Sequence, residues 1–316
     1  MADWFSGPPK TLRDHRYEVC EQIGAGGIAT VYRAVDTVTR EDVAIKLFEA
    51  PILEKEHEVV KRFKAEGRAM SQLEHDRLVR VIDGAKEQGY YWFAMEYCSR
   101  GSLIDNVPET GVDEMTALDW TFQLIEGLGY IHNNGMVHRD IKPGNVLMDN
   151  TGKIKIADFG LARHPTGTVA FHTATGSGLG SVGYRPPEMT VDASNVTPAA
   201  DMFSVAATLY FMIKGQRPVR LAYAEAMPEL LDGIHPQLLP IIMKASAILP
   251  DDRYHTTRAM AEAVAFAAEI IAAKKGEKPV YGEWIGRYDR LLDGKEPTPM
   301  PAGARWLGGL LPWNRR

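Results

Sequence analysis

One eight-residue run constrains this chain more than any other feature: HRDIKPGN, from His138 to Asn145. It sets an Asp, a Lys two residues on and an Asn five residues on in one tight loop. That set suits phosphoryl transfer. Asp140 can orient a hydroxyl and accept its proton, Lys142 can offset charge on a moving phosphoryl group, and Asn145 can reach a metal ion. A plain polar loop has no reason to concentrate these three groups at these spacings. Just downstream, NVLMDNTGKIKIAD reads as a hairpin with Asn-Thr-Gly at its turn, and Asp158-Phe159-Gly160 follows directly. Asp158 is a hard oxygen ligand of the kind Mg²⁺ takes while bridging phosphates.

Two further signals lie upstream. IGAGGIATVY is glycine-rich at Gly24, Gly26 and Gly27. Without Cβ atoms a backbone can approach phosphates closely and present N–H groups to them, although an ordinary glycine-rich hairpin turn would read the same way. VAIK ends at Lys46, which in strand alternation shares a face with Ala44, opposite Val43, Ile45 and Leu47. A cleft-facing Lys can bind phosphate oxygens as a point charge, given a carboxylate to hold it. A helix expected from about Glu54 to Leu73 carries Phe63, Glu66, Met70 and Leu73 on one face. Glu66 is the candidate carboxylate, with Glu56 and Glu58 as competitors.

In this order the four signals match the protein kinase signature set, and the chain resembles that family from about residue 16 to 270. Pro186-Pro187-Glu188 is similar to the family's APE, Asp201 to the buried Asp that steadies the catalytic loop, and Arg253 to the Arg that pairs with the APE glutamate. The glycine pattern, RFKAEGRAMSQLEHDRLVRVID and HRDIKPGN resemble bacterial Hanks-type (receptor-type) Ser/Thr kinases. Aligned on RF-x-x-E, Glu66 becomes the implied partner of Lys46. Lys142 two residues after Asp140 is the Ser/Thr form. Ala29, Ser181, Pro186 and Ala206 depart from common family residues, and none removes a catalytic atom.

The resemblance implies an α+β, two-lobed protein kinase fold, with a small antiparallel β-rich N-lobe and a larger helical C-lobe. Its expected division is a flexible lead-in over 1–15, an N-lobe over 16–97, a C-lobe over 98–275 and a tail over 276–316. It implies ATP and Mg²⁺, with Mn²⁺ as a substitute ion, and protein substrates. Met95 would be the gatekeeper. The backbones of Glu96 and Cys98 would bond the adenine edge, Val31 and Ala44 would cover the ring, and Leu147 would lie below it. Thr173 and Thr175 match the paired threonines that such kinases phosphorylate on themselves, and Arg139 is the arginine such a phosphate could recruit. Receptor-type members also pair through their small lobes, so a homodimer through the N-lobe is an expectation. Two rivals stand beside the kinase reading. One is a binding scaffold of the pseudokinase type, which usually lacks the Lys or one of the two Asp. The other is a kinase of small molecules.

Composition excludes other classes. The formal net charge is −5, whereas a nucleic-acid binder usually carries a basic excess. The two cysteines, Cys20 and Cys98, imply neither a disulfide framework nor a zinc site, and fit a reducing compartment. MADWFSGPPK lacks the basic and apolar regions of a secretory signal. The Ala-rich stretch from Ala259 to Ala273 contains Glu262 and Glu269 and reads as an amphipathic soluble helix, so no transmembrane segment is expected and a cytoplasmic home is the default. Tail residues KEPTPMPAG read as a linker, and ARWLGGLLPWNRR as a segment docked on the kinase lobe or disordered.

Overall fold

The computed structural model describes residues 8–26, 29–48, 67, 73–158, 183–191 and 196–292. The chain divides into two compact units. Among the described residues, the first unit ends at Cys98, and the second begins at Ser99 but also claims His75–Leu78.

The first unit is a six-stranded antiparallel sheet. Its strands are β1 (Thr11–Leu12), β2 (Tyr17–Ala25), β3 (Ala29–Asp36), β4 (Asp42–Phe48), β5 (Val81–Glu87) and β6 (Tyr90–Glu96). Their order is β1-β2-β3-β4-β6-β5. Alternation in VAIKLF sorts the faces as expected: Val43, Ile45 and Leu47 enter a core with Leu12, Tyr17, Tyr32, Ala85 and Trp92. Tyr17 meets Trp92 edge to face, with centroids 5.6 Å apart.

Strand β1 lies inside the segment expected to be a loose lead-in. Leu12 is fully buried in the core. The turn after it holds Arg13, Asp14 and His15 all at positive φ, between 51 and 66°. Each such residue costs about 1–2 kcal/mol. Opposing that cost, the Arg13 N–H donates to the Glu87 carboxylate at 2.8 Å and the Arg16 N–H to the Arg13 carbonyl at 3.0 Å. One buried leucine and one carboxylate thus order part of a stretch that was expected to be a flexible lead-in.

The second unit is mainly helical. It contains α1 (Leu103–Asn106), α2 (Glu114–Asn133), the hairpin β7 (Val146–Met148) and β8 (Ile154–Ile156), α3 (Glu188–Val191), α4 (Ala199–Lys214), α5 (Leu239–Ala245), α6 (Thr257–Lys275) and α7 (Tyr281–Leu292). Asp113 caps α2, accepting from the N–H groups of Met115 and Thr116. Helix α4 is buried nearly all round and ends at Gly215 in the left-handed conformation. The Ala-rich stretch forms α6, capped by Thr256. Among the described residues, no helix is long and apolar enough to cross a membrane. Helix α7 falls where only a tail was expected. Gly282 and Gly286 weaken its propensity, and packing of Trp284, Ile285 and Tyr288 against α2 and α6 overrides them. The expected helix over 54–73 lies outside the described residues apart from Gly67 and Leu73, and the linker KEPTPMPAG and ARWLGGLLPWNRR lie outside them entirely.

His75 opens the short segment that joins the second unit. Its ring stacks on Tyr130 with centroids 4.8 Å apart, and its Nδ1 accepts from the Arg77 N–H at 3.1 Å. Burial pushes the imidazole down to about 4 from 6.5; Asp76 opposes this, and Arg77 and Lys155 add to it. Below pH 6.5 the unfolded chain therefore gains a proton that the folded chain refuses. The stabilisation is complete above pH 6.5 and drains as pH falls towards 4. Urea unfolding should show a loss of about 2 kcal/mol between pH 7.5 and pH 5 from this residue. His75→Asn, which keeps an acceptor for Arg77, should shrink that difference; an unchanged difference would assign it to other groups.

Candidate active site

The HRDIKPGN run forms one hydrogen-bonded knot. Lys142 Nζ donates to Asp140 Oδ2 at 2.7 Å. Asn145 Nδ2 donates to the Asp140 carbonyl at 2.8 Å and to Asp140 Oδ2 at 3.0 Å. Pro143–Asn145 is a 3₁₀ turn with proline at its start, which swings Asn145 back over Asp140. The Asp140 carboxylate is thereby oriented from one side by an ammonium and an amide. Arg185 Nη2 stands 3.5 Å from its other oxygen.

The hairpin brings Asp158 to this knot. The Ala157 N–H donates to the Asn145 carbonyl at 2.9 Å, and His138 Nε2 donates to the Ala157 carbonyl at 3.1 Å. Asp158 is the next residue, with φ of 69°. A non-glycine residue there is strained by about 1–3 kcal/mol and persists only where its surroundings over-determine it. Arg139, beside Asp140, has φ of 71°.

Asp201 on α4 holds Arg139 in that state. It is fully buried. Its Oδ2 accepts from the His138 N–H and from His132 Nε2, both at 2.8 Å, and its Oδ1 accepts from the Arg139 N–H at 2.8 Å. Burial alone would raise its pKa; the His132 bond, the fields of His132 and His138 and the Arg139 N–H outweigh burial and hold it below the usual carboxylate range. His132 was not singled out in the sequence, although its place in the last turn of α2 is a ready signal. Arg253, also fully buried, makes a bidentate pair with Glu188 at 2.7 Å for both bonds and donates to the carbonyls of Ala199, Ala247 and Ile248. Both pairings inferred for Asp201 and Arg253 from resemblance are thus present.

In the first unit, Lys46 lies directly opposite Val31 on β3 and Phe93 on β6, and Ala44 lies opposite Met95. Cross-strand partners share a face. Val31, Ala44, Lys46 and Met95 therefore form one surface, opposite the core set of Val43, Ile45 and Leu47. Gly24 pairs with Val31, and the Gly26 N–H closes the strand end on the Ala29 carbonyl at 2.8 Å. Glu96 ends β6, and Cys98 is buried just past it. In the second unit, Leu147 sits in the middle of β7, bridged to Ser102. Gly27, Glu66, Thr173 and Thr175 lie outside the described residues.

The donor set fits a hard divalent cation. Asn145 commits its amide nitrogen to Asp140, which leaves its side-chain oxygen to a cation. Asp158 brings a carboxylate from two residues beyond β8. Two hard oxygens suit a hard divalent cation that completes its shell with other oxygen ligands.

Comparison with known proteins agrees with this geometry. The protein kinase domain family matches residues 17–270, and the chain belongs to that family. It is 33% identical over 274 residues to the serine/threonine-protein kinase PknL of Mycobacterium bovis, covering 83% of this chain and 66% of that protein. It is 31% identical over 275 residues to the serine/threonine-protein kinase PrkC of Bacillus subtilis, covering 82% and 42%. It is 28% identical over 319 residues to the serine/threonine-protein kinase PknB of Mycobacterium tuberculosis, covering 93% and 50%. The chain thus spans between 42 and 66% of the length of these curated relatives.

Proposed function

We propose that this chain is a serine/threonine protein kinase that transfers the γ-phosphoryl group of ATP to protein hydroxyls in a cytoplasmic setting. The observation that carries the reading is the knot at Asp140, oriented by Lys142 and Asn145 and tied through Ala157 to Asp158. Kinase names among the relatives support it.

In this reading Asp140 accepts the proton of the acceptor hydroxyl as the oxygen attacks in line. Lys142, now 2.7 Å from Asp140, offsets charge on the transferring group. Asn145 and Asp158 would hold Mg²⁺, or Mn²⁺ in its place, and the ion when bound would supply charge neutralisation. The first unit contributes Lys46 to the α- and β-phosphates, with Glu66 as its partner, while Gly24, Gly26 and Gly27 let the backbone approach the phosphates closely. Val31 and Ala44 would cover adenine, Glu96 and Cys98 would offer it main-chain groups, and Leu147 would add an apolar contact to the ring. Pairing of two copies through their β-rich units is a further proposal, taken from the receptor-type resemblance alone.

The reading includes a switch: the chain phosphorylates itself on Thr173 or Thr175, and Arg139 receives the phosphate. Incubation with ATP and Mg²⁺ followed by mass spectrometry should find phosphate on one of these threonines, and none in Asp140→Asn treated alike. Phosphate confined to Ser177 or Thr166 would move the switch elsewhere. Transfer to a small alcohol with no protein acceptor would favour a small-molecule kinase.

A further inference from the structure

Beyond the family match, which ends at residue 270, helix α7 (281–292) is bolted onto the second unit. Glu269 of α6 caps its start, accepting from the N–H groups of Val280 and Tyr281 at 2.7 and 3.1 Å. Trp284 packs on Phe122 with centroids 4.9 Å apart. The Tyr288 hydroxyl meets the Thr257 hydroxyl at 2.7 Å. Gly129 makes that seat: a Cβ there would stand 2.8 Å from the Tyr288 hydroxyl oxygen. A glycine inside a helix costs about 1 kcal/mol relative to alanine, so the seat opposes the propensity of α2.

The opposite side of α2 carries the strand that leads to Asp158. Gly127 is the counterpart of Gly129: a Cβ there would lie 2.8 Å from the Ile156 side chain and 3.0 Å from Arg77 Cβ. A polar ring joins the two sides, hydrogen-bonded at every link except the longer ion pair between Asp119 and Arg287. Arg287 of α7 donates to Glu126, which is fully buried. The other Glu126 oxygen accepts from Arg77 Nε at 2.9 Å. Arg77 Nη1 and the Ile154 N–H both donate to Gln123 Oε1 at 2.9 Å. Gln123 Nε2 donates to Asp119 at 2.8 Å, and Asp119 lies 3.8 Å from Arg287 Nη2. The Arg77 carbonyl accepts from the Ile156 N–H at 2.8 Å.

Two acids and two arginines balance in this ring. It takes both N–H groups that β8 turns away from β7, at Ile154 and Ile156. Asp158 follows two residues later.

We propose that α7 is a latch on the metal-bearing strand, and that Arg287 is a positioning residue for Asp158, acting through Glu126 and Arg77. The proposal rests on the kinase reading for its catalytic consequence only. Arg287 contacts no reacting group. Its part is to fix the Glu126 carboxylate, which fixes the Arg77 side chain, whose own carbonyl holds β8. Releasing α7 gives Glu126 a second orientation and loosens the edge of β8.

The full chain carrying Arg287→Met is compared with wild type by peptide-resolved hydrogen exchange and by the Mg²⁺ dependence of phosphoryl transfer. The amides of Ile154 and Ile156 should exchange about tenfold faster, and half-maximal rate should need about tenfold more Mg²⁺, with kcat at saturating Mg²⁺ nearly unchanged. Gly129→Ala displaces Tyr288 without altering any ring member and should give the same two changes. Protection of α4 reports that the unit is still folded in each variant. Faster exchange in α7 with β8 protection and Mg²⁺ dependence unchanged would overturn the proposal and leave α7 a mere cover. A wild-type chain that transfers no phosphoryl group would sink the kinase reading, while exchange at Ile154 and Ile156 still decides the latch.

Discussion

Asp140→Asn should reduce phosphoryl transfer by about 10²–10⁴-fold while leaving ATP affinity within a few-fold of wild type. The substitution is nearly isosteric and keeps one oxygen to accept from Lys142 and Asn145. The loop should therefore keep its shape. What is lost is the negative charge and the basic oxygen that take the hydroxyl proton, a loss felt in the transition state rather than in nucleotide binding. Single-turnover transfer with the nucleotide in excess separates the two terms. A variant that weakens ATP binding and transfer equally would mean that Asp140 serves binding, and the assigned role would fall.

Asp201→Ala should be the most damaging single change in the second unit, at about 3–5 kcal/mol. The carboxylate is fully buried and accepts three bonds of 2.8 Å. Alanine strands the N–H groups of His138 and Arg139 and the ring of His132 in a dry interior, and each stranded donor costs about 1–3 kcal/mol. It also frees Arg139 from the left-handed state in which those bonds hold it. Asp201→Asn, which retains an acceptor, should lose less stability and still lose activity, because one of its two terminal groups can no longer accept. Denaturant unfolding with parallel rate measurements would check both. Equal stability for wild type and Asp201→Ala would show that these bonds contribute nothing net.

The hydrogen-bonded knot at Asp140 was legible because it is local. Asp140, Lys142 and Asn145 span six residues, and a loop that short cannot keep them apart. The face shared by Ala44 and Lys46 was legible for a similar reason, since strand alternation is a rule of period two. Other parts of the fold depend on partners far along the chain. Arg77 and Glu126 are 49 residues apart, and Arg287 and Glu126 are 161 apart. No local pattern marks such pairs. One hint was present all the same: Glu126 sits four residues after Phe122 and within the apolar run of α2, the same anomaly that drew attention to Glu66. Gly127 and Gly129 within that helix were a second hint, because interior glycines in a helix ask for a close neighbour. Leu12 offered no hint, and only the core it enters explains why its strand forms.

In the proposed function the knot at Asp140 moves the γ-phosphoryl group of ATP onto protein hydroxyls. Its most direct test is to supply γ-labelled ATP and Mg²⁺ with a generic protein acceptor, hydrolyse the product and identify the labelled amino acid. The wild-type chain should yield phosphoserine and phosphothreonine, and Asp140→Asn almost none. Nucleotide binding without labelled protein, or equal labelling by the Asp140→Asn chain, would contradict that function.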